Sequence, residues 1–168
     1  MKNFITGYIR SVLVVIISTI TVSVHAQEIK RAKITDVAKI ISESKTPLIV
    51  NMWATWCGPC VEELPYFIKE VNAHARDSVQ FLMVSLDFKE SFPDGMKEFM
   101  KKRKIDHATL WLDETNADYF CPKIDPKWEG AIPATLFIDN KTGYRKFIDE
   151  KIKHEDFAKE LAELIRQR

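Results

Sequence analysis

An α/β fold, with a β-sheet sandwiched between helices, is predicted by three features of the sequence. Short apolar runs alternate with amphipathic helical stripes, two strands form a hairpin near the C-terminus, and an amphipathic helix follows that hairpin. Thr35 is placed to cap a first helix whose apolar positions Val37, Ile40 and Ile41 keep helical spacing. Pro47 then opens the run Leu48 to Trp53, which reads as a strand buried on both faces. A long helix is expected from about Cys57, with Val61, Leu64, Phe67, Ile68 and Val71 on one stripe and Pro65 as a kink. Val79 to Leu86 reads as the next buried strand.

Ser91 and Pro93 start a further helix, with Met96, Phe99 and Met100 inward. Lys101 to Lys104 suit its C-terminal end, where cations meet the negative pole of the helix. After Leu110 to Leu112, a stretch holding Cys121, Pro122, Pro126 and Trp128 reads as irregular. Ala134 to Asp139 and Tyr144 to Ile148 form the hairpin around Asn140-Lys141-Thr142-Gly143. Phe157, Leu161, Leu164 and Ile165 mark the terminal helix.

The chain has 168 residues, enough for one domain, and 46% of them are apolar, so a buried core is expected. Its formal charge of +1 gives no electrostatic reason to expect a nucleic-acid partner. Lys2 and Arg10 precede an apolar run from Val12 to Val24, and Val24-His25-Ala26 offers a cleavage site before Gln27. Residues 1–26 therefore read as a signal peptide or an N-terminal anchor, with a possible membrane tether through residues 12–24, and residues 27–168 as the folded domain. The run is shorter than the roughly 20 residues that span a bilayer comfortably. The mature protein is expected outside the cytoplasm, in a periplasmic or otherwise extracytoplasmic space.

The segment that carries chemistry is Trp53-Ala54-Thr55-Trp56-Cys57-Gly58-Pro59-Cys60, where a buried strand gives way to a helix. Cys-x-x-Cys in this setting reads as a redox pair. Unpaired N–H groups at a helix start favour an anion, so the thiol of Cys57 ionises more easily there. Cys60, one turn later, is close enough to close a disulfide and is more shielded. Cys57 would attack a substrate disulfide and Cys60 would resolve the mixed disulfide. Pro59 costs little near the helix start, because its missing N–H would be unpaired there anyway. A zinc half-site lacks partners, since the sequence has no second Cys pair and His74, His107 and His154 are scattered. A purely structural disulfide is disfavoured because so short a loop gives little entropic stabilisation.

Trp56 to Cys60 resembles the active-site motif of the thioredoxin superfamily. The longer run Trp56-Cys57-Gly58-Pro59-Cys60-Val61-Glu62-Glu63-Leu64-Pro65 looks like its exported TlpA/ResA branch, with the pattern W-C-x-x-C-x-x-E-x-P and Glu63 as the glutamate. Gly130 to Asp139 is similar to the cis-proline segment of that family. The resemblance covers about residues 34 to 168. It implies a thioredoxin-like fold with a central mixed sheet, helices on both faces and a central helical insertion. It also implies a cis peptide between Ile132 and Pro133, packed against the cysteines, where an extended substrate can pair with the backbone.

The sequence departs from thioredoxins proper at Asn51, where they hold a buried aspartate that moves a proton for the inner cysteine. Asn cannot serve as that base. The resemblance to ResA-like proteins points to a glutamate in the central insertion, which makes Glu90 the first candidate and Glu63 the second. The plainer alternative leaves Glu90 at a solvated helix start. Cys121 is either a small buried residue or an extra reactive thiol near the site. Trp56 reads as a contact surface for partners, supported at the site by Gly58 and Pro59, and Trp128 reads as core packing.

These features together predict an exported, monomeric thiol–disulfide oxidoreductase. It would reduce protein disulfides through Cys57 and Cys60 with no metal and no cofactor beyond that redox-active pair. The resemblance implies a membrane electron donor and protein substrates such as apocytochromes c. The alternatives are a disulfide oxidase or isomerase of the same fold, or a copper-binding metallochaperone using both cysteines as soft ligands.

Overall fold

The computed structural model describes residues 29–167. The signal peptide or anchor expected over residues 1–26 lies outside the described residues. Among the described residues, no helix is long and apolar enough to cross a membrane.

Six strands form one sheet: β1 (Lys30–Ala32), β2 (Leu48–Trp53), β3 (Gln80–Ser85), β4 (Thr109–Leu112), β5 (Ala134–Asp139) and β6 (Tyr144–Ile148). Their order across the sheet is β1-β4-β3-β2-β5-β6. The pairs from β1 to β2 are parallel, and the pairs β2–β5 and β5–β6 are antiparallel, so the sheet is mixed as expected. β2 and β5 lie inside the sheet and every residue of both is buried. That explains their unbroken apolar character in the sequence. Gly143, at φ +75°, takes the left-handed position of the β5–β6 turn, which a side chain would strain.

Five helices cover the sheet: α1 (Ile34–Glu43), α2 (Gly58–Ala73), α3 (Asp94–Arg103), α4 (Ala117–Ile124) and α5 (His154–Arg166). Side chains alternate across a strand, so odd and even positions of β2 and β5 face opposite layers. Ile49, Trp53 and Phe137 pack with α2, α3 and α5. Leu48, Val50, Met52, Leu136 and Ile138 pack with α1 and α4. On the first face Phe67 of α2 stacks on Phe157 of α5, with ring centroids 3.7 Å apart.

Several elements differ from the sequence expectation. α1 begins at Ile34, one residue before Thr35, because the Lys33 N–H donates to the Asp36 carboxylate at 2.8 Å and the Ile34 N–H donates to Glu114 at 3.0 Å. α3 begins at Asp94, not at Ser91. Lys89–Ser91 forms a separate 3₁₀ turn, and the Phe92–Pro93 peptide is cis. The stretch expected to be irregular contains α4, which buries Phe120, Cys121 and Ile124 at helical spacing and tolerates Pro122 in its last turn. β1 is only three residues long, with two of them exposed, and leaves no periodic signal.

Candidate redox site

Cys57 is the N-cap of α2 and Pro59 lies in the first turn, where its missing N–H costs nothing. Cys57 and Cys60 are joined by a disulfide, with Cα atoms 5.3 Å apart. The Cys60 N–H donates to Cys57 Sγ at 3.3 Å, so the helix start meets that sulfur directly. Cys57 Sγ also lies 3.8 Å from the carbonyl oxygen of Ile132. The Ile132–Pro133 peptide is cis, as the resemblance implied. Cys57 is 6% exposed and Cys60 is fully buried, so the first cysteine is the one nearer solvent.

The loop that leads into Cys57 is pinned by Asp87, just beyond β3. The Thr55 N–H donates to both carboxylate oxygens, at 3.2 and 3.1 Å, and the Thr55 hydroxyl donates at 2.5 Å. Ser85 Oγ adds a further donor at 2.7 Å. Trp111 Nε1 holds the Asp87 carbonyl at 2.7 Å. The sequence reading did not single out Asp87. A lone acid at a strand end carries no motif, and its partners come from three separate elements. Trp56, exposed as expected, stacks on Phe88 with ring centroids 5.7 Å apart and a 20° interplanar angle. Phe88 was also missed and is 66% exposed. The pair borders a groove of about 480 Å³ that also includes Trp111, Phe120 and Ile132.

Behind the disulfide lies a buried polar cluster. Asn51 and Thr135 are direct cross-strand neighbours on β2 and β5. Glu63 comes from α2, three residues after Cys60, so the two share a helix face. Asn51 Nδ2 donates to Glu63 Oε1 at 3.1 Å and to Thr135 Oγ1 at 3.0 Å. The Ile152 N–H, from the connection between β6 and α5, donates to Glu63 Oε2 at 3.2 Å. Burial raises the Glu63 carboxyl from 4.5 to about 7, against the opposing pull of Ile152, Asn51 and Lys151. Tyr66 donates to the Ile152 carbonyl, and its phenol is pushed up to about 12 by burial and by the nearby Glu63 and Glu62.

The two glutamate candidates fall in opposite settings. Glu90 is exposed on the 3₁₀ turn and Glu63 is fully buried. The central insertion meets solvent at Glu90, while α2 turns Glu63 inward. Cys121 lies on a helix rather than in an irregular loop. It is a free cysteine on α4, 2% exposed, with its thiol pushed up to about 11 by burial and by Asp118. It packs behind Gly130, where an added Cβ would lie 3.5 Å from Cys121 Sγ. Gly130 itself holds φ +94°. Trp128 is buried as expected and donates from Nε1 to the Ala131 carbonyl at 2.7 Å, securing the approach to Pro133. Among the described residues, no group of three or more His, Cys, Asp or Glu side chains could hold a metal ion.

A Cys-x-x-Cys disulfide at a helix N-terminus beside a cis-proline, on a mixed sheet with helices on both faces, defines a thioredoxin-like protein. The chain belongs to the AhpC/TSA family, whose model matches residues 19–144. It is 37% identical over 57 residues to sporulation thiol-disulfide oxidoreductase A of Bacillus subtilis, which covers 34% of this chain and 34% of that protein. It is 37% identical over 95 residues to the thiol:disulfide interchange protein DsbE of Haemophilus influenzae, covering 56% of this chain and 46% of that one. These matches span between a third and a half of the relatives' length. The crystal structure of a thioredoxin-related protein from Neisseria meningitidis serogroup B superposes with a TM-score of 0.59 at 28% identity, covering 74% of this chain and 86% of that chain.

Proposed function

We propose that this protein is an exported thiol–disulfide oxidoreductase that reduces disulfides in other proteins. The observation that carries the reading is the asymmetry of the pair. Cys57 caps a helix and faces the cis-proline loop, while Cys60 is sealed above Glu63. In the reduced protein the Cys57 thiolate attacks one sulfur of a substrate disulfide. A new S–S bond forms as the substrate bond breaks, and the departing substrate sulfur takes a proton. Cys60 then attacks Cys57 Sγ while its proton passes to Glu63, and the second substrate thiol leaves. Two electrons go to the substrate, and the Cys57–Cys60 disulfide seen here is the oxidised product.

The cycle is reset by a second protein dithiol, for which a membrane-bound donor is the natural source outside the cytoplasm. No cofactor beyond the two sulfurs is needed in this scheme. Lys2 and Arg10 ahead of the apolar run Val12–Val24 support export. The exposed Trp56–Phe88 pair and its groove offer an apolar platform for a substrate chain that pairs with the loop at Ile132. The Gly-Pro spacer matches that of thioredoxin, whose potential is about −270 mV.

Two measurements test the proposal. Equilibration with glutathione is expected to place the pair well below about −200 mV, and a value clearly above that would assign an oxidase or isomerase instead. Cys60→Ala in the full chain is expected to accumulate mixed disulfides on Cys57, and the trapped partners identify the substrate class. Tight Cu(I) binding with no disulfide reduction would replace the proposal with a metal-carrier role.

A further inference from the structure

The polar cluster under the disulfide contains an anomaly. Asn51 Oδ1 is buried and finds no hydrogen-bond partner among the described residues, while both hydrogens of Nδ2 are used. Buried polar atoms are normally paired, so an orphan carbonyl at a site centre needs a reason. The two partners of Nδ2 supply one. Glu63 and Thr135 both lie on the same side of the amide, and only one end of it can face them. Turning the amide over would aim its oxygen at a carboxylate and leave two N–H donors orphaned in place of one carbonyl. The orientation present is the one that suits a charged Glu63.

We propose that Asn51, oriented by the Thr135 hydroxyl, is a positioning residue that holds the Glu63 carboxylate and stabilises its charged form as acceptor of the Cys60 proton. This rests on the exchange reaction proposed above and assigns a use to the residue that stands where thioredoxins proper carry an aspartate. The cross-strand register places Asn51 and Thr135 opposite each other, and Thr135 follows the cis-proline by two residues on the same sheet face. Thr135 accepts one hydrogen of the amide, which fixes the second on Glu63 Oε1. The Ile152 N–H holds the other carboxylate oxygen. An ionised Glu63 thus receives one N–H on each oxygen inside an apolar shell. The charged group that acts on it is Lys151 from the β6–α5 connection; Tyr66 from its own helix feels the Glu63 charge in turn, and of the two cysteines Cys60 lies one helical turn away.

A carboxyl buried without such donors would stay protonated at neutral pH and have no site left for the Cys60 proton. Substituting Asp at position 51 would instead set two carboxyls about a hydrogen-bond length apart, where they share one proton. Asn is the residue of the same shape that donates without adding charge.

The experiment follows the ¹³C-labelled Glu63 carboxyl by NMR through a pH titration in the oxidised full chain, alongside the pH–rate profile for insulin disulfide reduction. Asn51→Leu is expected to raise the Glu63 midpoint by about one unit, a tenfold gain in proton affinity, and to move the alkaline-side rise in rate by the same amount. Thr135→Val is expected to shift the midpoint in the same direction by less, and Thr135→Ser to restore it. Asn51→Asp is expected to split the titration into two steps. An unchanged Glu63 midpoint in Asn51→Leu overturns the proposal. Should that variant fail to fold, an unchanged midpoint in Thr135→Val does so. The carboxyl titration needs no turnover, so it stands apart from the exchange reaction. That reaction fails separately if wild-type protein reduces no disulfide.

Discussion

The two faces of the sheet each bury sulfur, and they bury it in different company. On the face under α2, α3 and α5, the Cys57–Cys60 pair meets a helix start, a backbone carbonyl and a carboxyl held from β2 and from the β6–α5 connection. On the face under α1 and α4, Cys121 sits among Phe120, Trp128 and other apolar groups, with Asp118 nearby raising its thiol further. Burial alone drives a thiol toward its neutral, inert form. What accompanies burial differs on the first face: an N–H at a helix start that favours an anion on Cys57, and a buried carboxyl one turn beyond Cys60.

The largest expected difference between the faces is in activity. Cys57→Ser should abolish insulin disulfide reduction, whereas Cys121→Ser should keep it within about twofold, since only the first removes the sulfur that attacks. Equal losses in a turnover assay would dissolve the contrast. Next is chemical reactivity. A thiol pushed up to about 11 holds far less thiolate at pH 7 than a free cysteine near 8.5, so native Cys121 should alkylate at least ~10²-fold more slowly than a peptide thiol. Mass spectrometry after timed iodoacetamide treatment of the reduced protein gives both rates in one sample, with Cys57 expected to lead.

The carboxyl on the first face should also leave a mark on stability. Glu63 titrates near 7 when folded and near 4.5 when unfolded, so the folded state binds that proton more tightly. Its contribution is fully present below about 4.5 and is lost as pH rises through about 7. Glu63→Gln keeps a neutral amide at every pH. The difference in unfolding free energy between variant and wild type should therefore grow in favour of the variant by up to about 3 kcal/mol between pH 4 and pH 8. Urea denaturation of the oxidised proteins across that range checks the sign, and a flat difference would place Glu63 in contact with water. The smallest effect is expected at Cys121→Ala, a loss of about 1 kcal/mol from a modest void with no change in its pH dependence.

How much of this was legible follows from the physics of each signal. The apolar runs of β2, β3 and β5, the Asn140–Gly143 turn and the periodic face of α5 are local patterns and appear where they were read. α4 was hidden because Pro122 reads as a breaker, although a proline in the last turn of so short a helix removes little. The stripe drawn along α2 was slightly misplaced. Val61 and Ile68 are only partly buried, and the inward face runs Cys60, Glu63, Leu64, Phe67, Val71 at helical spacing. A glutamate in register with four buried positions was therefore a readable sign. Asp87, Phe88 and Ile152 were not readable, because each acts through groups distant in the chain and none carries a pattern.

Ile152 ties the site to the order in which the chain is made. Its amide reaches the Glu63 carboxyl from a segment synthesised about ninety residues after that glutamate. A nascent chain that has emerged through α2 already holds both sulfurs and Asn51, but not the Ile152 donor. The second carboxylate oxygen gains its donor only when the connection that carries Ile152 has docked, so the last part of the chain to be made completes the cluster under the disulfide.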